Sequence, residues 1–284
     1  MGKSIGGTSH GWSRLEEISC PRSYYYKYVL QLRQPADINL EIGTSFHAAL
    51  AYRFGALRDE KEPSLAACLQ AAEEVVTPDI YRSHVRRLVE TYWEEWPLPE
   101  PFSVVCVEHE HEMMIEDAPF TGRLDTVVQQ PDGRLFVLEH KTSGINPAYA
   151  HNFDLYLVDH QITGYAVLAE ALLGRQISGV IVDLMYKGSK KKGKPDEYSG
   201  QPVAYRETFL RSDDQKADFR RQVVWMNRAI RHASTTGEWW CQPKSCHKYR
   251  PCPYAMLCQE PRRDPAELWL ELGGKIVEEG GEEE

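Results

Sequence analysis

The sequence predicts an α/β chain with a helical front half, and three observations predict it. Apolar residues recur at helical spacing as far as Glu95, where Pro97, Pro99 and Pro101 close the block. Four short segments rich in Val, Phe, Ile and Leu then follow, separated by turn residues. Beyond them a helix, two strands and a second helix alternate, as they do when helices flank a sheet.

Taken in order, Ser13-Arg-Leu-Glu16 reads as a capping box, so a helix is expected to start there, break at Cys20-Pro21 and resume from Tyr24 to Leu30. Between Thr44 and Asp59, Phe46, Leu50, Phe54 and Leu57 share one helical face, and further helices are expected at 64–76 and 79–95. Strands are expected at 102–109, 110–117, 120–129 and 134–142, the last two joined through Pro131-Asp132-Gly133. A helix over about 155–173 ends at Gly174. Strands near 177–186 and 203–210 then enclose a lysine-rich loop, and Asp213 to His232 forms the last long helix. No internal repeat is present. One domain over 1–270 is expected, with a helical part at 12–97, a sheet core at 102–235 and a cysteine segment at 239–260. Residues 271–284 form an acidic tail whose charge and glycine content predict disorder.

A chain of 284 residues can bury a real core. With 42% hydrophobic, 26% charged and 11% aromatic residues, it falls outside the disordered, collagenous and disulfide-rich secreted classes. No apolar stretch approaches the roughly 20 residues of a membrane span, and the first residues lack a signal-peptide core, so a cytoplasmic location without membrane contact is expected. The net charge of −9 argues at first against a polyanionic partner. Yet residues 271–284 hold six glutamates against Lys275 alone, so residues 1–270 carry only −4. Two stretches are locally basic: Lys187, Lys190, Lys191, Lys192 and Lys194 in the loop, and Arg220, Arg221, Arg228 and Arg231 on the last helix. Each could touch phosphates or form an ordinary solvated face.

Chemistry concentrates on the hairpin. Glu139 and Lys141 are two residues apart on a strand, so both side chains leave one face while His140 points the other way. A three-residue loop at 131–133 sets Asp125 opposite Glu139, and a register slip of one would separate them. Two carboxylates and a lysine among Leu124, Val127, Val128, Phe136, Val137 and Leu138 need charge compensation. A divalent cation with open positions, Mg2+ or Mn2+, provides it and suits phosphodiester hydrolysis, with Lys141 placing the attacking water. A structural salt-bridge cluster is the plainer reading of these three residues alone. His47, a possible nitrogen donor in Gly43-Thr-Ser-Phe-His47, and Gln161 with Tyr165, one helical turn apart, add to the first reading.

Seven cysteines in a chain expected to keep its thiols reduced do not make a disulfide framework. Cys241, Cys246, Cys252 and Cys258 fall within 18 residues, punctuated by Pro243, Pro251 and Pro253. Such a segment needs a staple, which zinc or an iron–sulfur cluster would supply. Cys68 and Cys106 sit in apolar patterns and read as core. Cys20, before a proline and the run Tyr24-Tyr25-Tyr26, is a candidate ligand from the far end of the chain.

At these residues the chain resembles RecB-type PD-(D/E)XK nucleases that carry a four-cysteine iron–sulfur cluster. That group includes CRISPR-adaptation exonucleases, the nuclease domains of recombination helicase complexes, and many phage proteins. Ser13 to Tyr26 resembles the family's opening, Gly43 to His47 its histidine motif, Gly122-Arg-Leu-Asp125 and Glu139-His-Lys141 its two acidic motifs, and Gln161-Ile-Thr-Gly-Tyr165 its QxxxY motif. Cys246, Cys252 and Cys258 resemble its terminal cysteine motif, although five residues separate the first two and Cys241 is extra. The resemblance implies a restriction-endonuclease-like core with a mixed central sheet flanked by helices. It implies a metal site of His47, Asp125 and Glu139 aided by a backbone carbonyl near His140, and catalytic roles for Asp125, Glu139, Lys141, Gln161 and Tyr165. Arg123 would steady the site or a phosphate. A [4Fe-4S] cluster would be bound by Cys20, Cys246, Cys252 and Cys258, with Cys241 as substitute and zinc as the alternative metal.

The function so implied is a metal-dependent DNA nuclease, an exonuclease on single strands or DNA ends, acting in recombination, replication or phage DNA processing. No Walker A pattern is present, so a helicase motor would come from a partner. The rival is a catalytically silent nucleic-acid-binding or assembly module with a structural metal–cysteine site; intact Asp125, Glu139 and Lys141 argue against it.

Overall fold

The computed structural model describes residues 10–33, 38–75, 79–146, 148, 153–191, 194–247 and 251–276. The α-helices are α1 (Trp12–Glu16), α2 (Pro21–Tyr24), α3 (Ile38–Arg58), α4 (Leu65–Glu73), α5 (Asp79–Glu95), α6 (His160–Leu173), α7 (Asp213–Thr236), α8 (Ala255–Gln259) and α9 (Pro265–Glu271). The strands are β1 (Leu32–Arg33), β2 (Ser103–Ile115), β3 (Ala118–Gln129), β4 (Leu135–Ser143), β5 (Ile177–Tyr186), β6 (Ser189–Lys191), β7 (Lys194–Ser199), β8 (Val203–Leu210) and β9 (Lys275–Ile276). The chain divides into two compact units. One comprises Asp37–Met113 and Gly122–Phe219; the other comprises Met1–Ala36, Met114–Thr121 and Arg220–Glu284.

The central sheet has the order β2-β3-β4-β5-β8 and is mixed. β3 and β4 run antiparallel, β4 and β5 parallel, and β5 and β8 antiparallel. β4 lies inside the sheet and is buried from Leu135 to His140, which is why it reads as a continuous apolar run and not as an alternation. The Pro131-Asp132-Gly133 turn forms as the sequence predicts. Gly133, at φ +86°, donates its N–H to the Gln130 carbonyl, and the Asp132 carboxylate accepts the N–H of Arg134. That turn fixes Thr126 opposite Leu138.

Three helices pack into one core with the sheet: Phe46, Leu50 and Phe54 of α3, Leu69 of α4, and Leu88 and Tyr92 of α5 meet Val128, Phe136, Leu138 and Ile181. The parallel step from β4 to β5 requires a crossover, which α6 provides between an Asp159 N-cap and a Gly174 C-cap at φ +60°. Gly122 permits the close approach of β3 and α6, because a Cβ there would lie 2.5 Å from Leu168 Cδ1 and 3.5 Å from Tyr165 Cε1. The expected restriction-endonuclease-like arrangement of a mixed sheet flanked by helices is therefore present.

The other unit has a small core of Tyr26, Leu32, Tyr254, Leu257, Leu268 and Trp269. β1 pairs with β9, and Tyr254 donates its hydroxyl to the Leu32 carbonyl at 2.8 Å. Arg22 donates to the carbonyls of Trp239 and Trp240, which holds the chain's entry to its later segment.

Several local expectations fail for identifiable reasons. α1 starts at Trp12 and no side chain caps it; the Gly11 carbonyl takes the N–H groups of Arg14 and Leu15, leaving Ser13 inside the helix. Segments 102–109 and 110–117 are one strand, since Glu108 turns left-handed at φ +46° without ending the ladder, and the reversal comes at Glu116-Asp117. The helix expected from 155 begins at His160, after a 3-10 turn over Asp154–Leu157. The lysine loop is a hairpin of β6 and β7. Residues 271–276 of the expected tail are structured, because Trp269 packs on Gly274 and bonds the Lys275 carbonyl. The remainder, 277–284, lies outside the described residues, as does Lys192.

Candidate metal-dependent active site

The β3–β4 register, continued one step beyond Thr126 and Leu138, sets Asp125 opposite Glu139. Both are buried, at 7% and 2% exposure. Here the ladder gives way to a side chain: Asp125 Oδ2 accepts the peptide N–H of His140 at 2.9 Å. Glu139 and Lys141 share a face, as their spacing predicts, with Lys141 Nζ 2.7 Å from Glu139 Oε1. His140 points away, stacks on Phe54 at 5.3 Å and lies 3.7 Å from Asp183. Lys141 Nζ also donates to Gln161 Oε1 at 2.8 Å and sits 5.9 Å from the centre of the Tyr165 ring. The one-turn spacing on α6 thus delivers both residues to the lysine.

α3 supplies His47, whose Nδ1 lies 3.3 Å from Asp125 Oδ1. The helix is anchored by Phe46, Leu50 and Phe54, so the imidazole projects from a rigid element. β2 supplies a residue the sequence reading misses. Glu108 offers a carboxylate oxygen that lies, with atoms of His47 and Asp125, within a group spanning no more than 4.8 Å. Its left-handed backbone re-aims the side chain within a strand, a device found beside functional sites. Arg123 Nε stands 3.2 Å from Glu108. Glu108 stands eight residues before Glu116 and Asp125 eight after Asp117, a symmetry that becomes legible only once the turn at Glu116-Asp117 is known.

Burial is the largest influence on each group and opposes its charged form. At Asp125 it is outweighed by His47 and the His140 peptide, which hold the carboxyl well below its ordinary range. At Glu139, Asp125 reinforces burial and together they exceed the help from Lys141, pushing the carboxyl well up. His47 is pushed up to about 9, because Asp125 overcomes the cost of burying its cation. Lys141 is likewise held charged by Glu139 against burial, whereas burial lowers His140 to about 4 and keeps it neutral. Burial, then Asp125, raises Glu108.

One buried carboxylate oxygen of the pocket remains unsatisfied. Glu139 Oε2 is buried and has no hydrogen-bond partner among the described residues. Two cationic side chains therefore do not exhaust the acceptors, and an imidazole nitrogen beside hard carboxylate oxygens fits Mg2+ or Mn2+. Behind His140 lies a network the sequence reading also misses: Asp183 accepts from Tyr92 at 2.6 Å and from Arg206 at 2.6 and 2.7 Å.

The cysteines gather elsewhere. Cys20 is buried at the break before Pro21, where it accepts the N–H of Gln242 at 3.4 Å. Burial first, then neighbouring thiols, raises Cys246, and lifts Cys252 and Cys258 to about 11. Those neighbours are Cys20 and Cys241 for Cys246, Cys246 and Cys20 for Cys252, and Cys241 and Cys252 for Cys258. Three thiols that resist ionising, with Cys20 and Cys241 beside them, are a donor set fit for a thiophilic metal centre, which would supply the missing positive charge.

The basic stretches are less available than their sequence implies. Lys187 is buried and donates to Asn39 at 2.9 Å. Arg228 pairs with Glu116 and Asp117, Arg231 pairs with Asp117, and Arg220 and Arg221 are also engaged. Cys68 is core as expected, and Cys106 is half-buried in β2. No described helix is long and apolar enough to cross a membrane.

The family model for the PD-(D/E)XK nuclease superfamily matches residues 12–259. Among solved structures, the chain is similar to a "Putative exonuclease" from Eubacterium rectale, at 12% identity over 84% of this chain and 87% of that one, with a TM-score of 0.47. It is also similar to SSO0001, at 15% identity over 87% of this chain and 92% of that one, with a TM-score of 0.30. No curated protein matches it.

Proposed function

Since the chain belongs to the PD-(D/E)XK nuclease superfamily, we propose that it is a divalent-metal-dependent DNA nuclease, an exonuclease on single strands or DNA ends. The observation that carries this is the convergence of His47, Asp125, Glu139, Lys141 and Gln161, with one buried carboxylate oxygen left unpartnered. Asp125, Glu139 and His47 would hold Mg2+ or Mn2+. Such an ion supplies an activated water and compensates charge at the scissile phosphate. Lys141, fixed between Glu139 and Gln161, positions that water and lends positive charge to the phosphate. The Tyr165 ring, centred 5.9 Å from the ammonium, would help to hold it in place. His140 contributes its peptide N–H, which orients Asp125, and a neutral ring that packs behind the strand.

The cysteine region supports a structural [4Fe-4S] cluster held by Cys20, Cys246, Cys252 and Cys258, with Cys241 in reserve. Its role would be to fasten the chain's entry to its later segment. DNA trimming of this kind serves recombination, replication or phage DNA processing, with any helicase motor supplied by a partner.

The test is cleavage of labelled linear single-stranded, linear double-stranded and circular DNA by purified protein with Mg2+ or Mn2+, beside Asp125→Ala and Lys141→Ala. Loss of linear DNA with wild type alone, and sparing of circles, is expected. Equal cleavage by all three proteins overturns the site, and cutting of circles overturns the exonuclease assignment. A brown protein absorbing in the visible blue carries iron; a colourless one with bound zinc replaces the cluster assignment.

A further inference from the structure

We propose that Leu155, Leu157 and Val158 form an apolar ledge beside the pocket on which unpaired nucleobases lie, so that the protein selects single-stranded over paired DNA. The proposal rests on the nuclease reading and names the substrate class of that site. The three side chains are 61%, 55% and 76% exposed, and Ile145, four residues beyond Lys141, is 59% exposed. Single exposed leucines are ordinary, whereas several at the rim of a polar pocket mark a binding surface.

The turn that carries these residues is held from within. Phe153 and Tyr156 pack on β8, with ring centres 6.1 and 5.7 Å from that of Phe209. Arg211, 5% exposed, donates to the Tyr156 carbonyl and, at 2.8 Å, to Thr163 Oγ1 of α6. Tyr205 of β8 meets the Phe153 ring and donates to Asn146 Oδ1 at 2.9 Å, so one residue steadies both rim segments. Val158 comes three residues before Gln161, which accepts from Lys141. The Tyr156 hydroxyl, raised by burial, also feels the charges of Lys141 and Glu139. The ledge therefore adjoins the groups that would handle the phosphate.

Charge decides what can lie on it. No Lys or Arg occurs from Thr142 to Gly174, and Asp154 and Asp159 bracket the turn. A phosphate backbone is repelled there, while the apolar face of a base gains from burial. Bases in a duplex already bury those faces against one another, so only unpaired ones can use the ledge.

Fluorescence anisotropy with Ca2+ in place of Mg2+ tests this by comparing labelled oligothymidylate with an abasic strand of the same length and charge. Wild type should bind the thymidylate about tenfold more tightly, a ratio that persists as salt weakens both. Leu155→Ser, Leu157→Ser and Val158→Ser combined should bring the ratio close to one without weakening the abasic strand. Val158→Trp should widen it, and thymidylate but not the abasic strand should quench the added indole. Circular dichroism melts check folding, and should the triple variant not fold, Val158→Trp decides alone. Equal affinities in wild type, or a ratio that these variants leave unchanged, overturn the proposal, while cleavage that depends on Asp125 keeps the nuclease reading. Binding of neither strand, with no cleavage, overturns both. A triple variant that alters the sedimenting mass and not the ratio makes the ledge a contact between copies of this chain, and the proposal fails.

Discussion

Around Asp125 every charged side chain meets an opposite charge from its own fold, whereas around Cys20 the five thiols meet mainly one another. The pocket is seated on a sheet and a large apolar core, and it would keep its shape without metal. The cysteine region has a small core, short helices and a two-residue strand pair. The difference separates a site that merely binds a metal from a segment whose folding would be metal binding.

The largest effect should follow from breaking the second kind of site. Removal of the proposed cluster should cost roughly 10 kcal/mol of local folding free energy. Hydrogen exchange should then accelerate across 12–33 and 243–276 while Leu135–Lys141 stays protected. Simultaneous loss of protection in both places would erase the contrast.

Next in size is the buried network behind the strand. Asp183→Asn leaves Arg206 with Glu100 as its remaining carboxylate and should destabilise the protein by about 1–3 kcal/mol, read from denaturant unfolding. Activity per folded molecule should survive, since Asp183 reaches the pocket only through His140. Lys141→Ala inverts that pattern: cleavage should fall about 10²–10⁴-fold with little change in melting temperature. A large drop in stability for Lys141→Ala would show that the ammonium is structural, as a plain salt-bridge cluster requires.

How far the sequence reveals each feature follows from whether its cause is local. β5 and β8 fall where their apolar runs end, and Asp125 meets Glu139 because a glycine turn sets the register. Gln161 and Tyr165 are legible because helical spacing alone puts them on one face. Glu108 is not, since its placement depends on a turn of two acidic residues and on a left-handed residue that no glycine or asparagine announces. Asp183 and Arg206 meet across an antiparallel pair whose strands are joined through a further hairpin, so no local register fixes them. Ser13 misleads for the opposite reason, a complete local motif overruled by the Gly11 carbonyl.

The smallest expected effect is one of pH, and it sharpens the contrast between the two regions. His47 rises from 6.5 to about 9, so the stability its cation contributes without metal is full below 6.5 and is lost as pH climbs through 9. Glu139, also raised, works in the same direction at lower pH; Asp125, lowered, has finished titrating well below it. Thiols held near 11 at Cys252 and Cys258 titrate above this window. Melting temperature in the absence of divalent ions should therefore fall between pH 6.5 and 9. The rise produced by Mn2+ should grow over that interval, because the ion competes with the departing protons. His47→Gln should flatten both trends, and a Mn2+ shift that ignores pH would mean that the ion does not displace protons from this pocket.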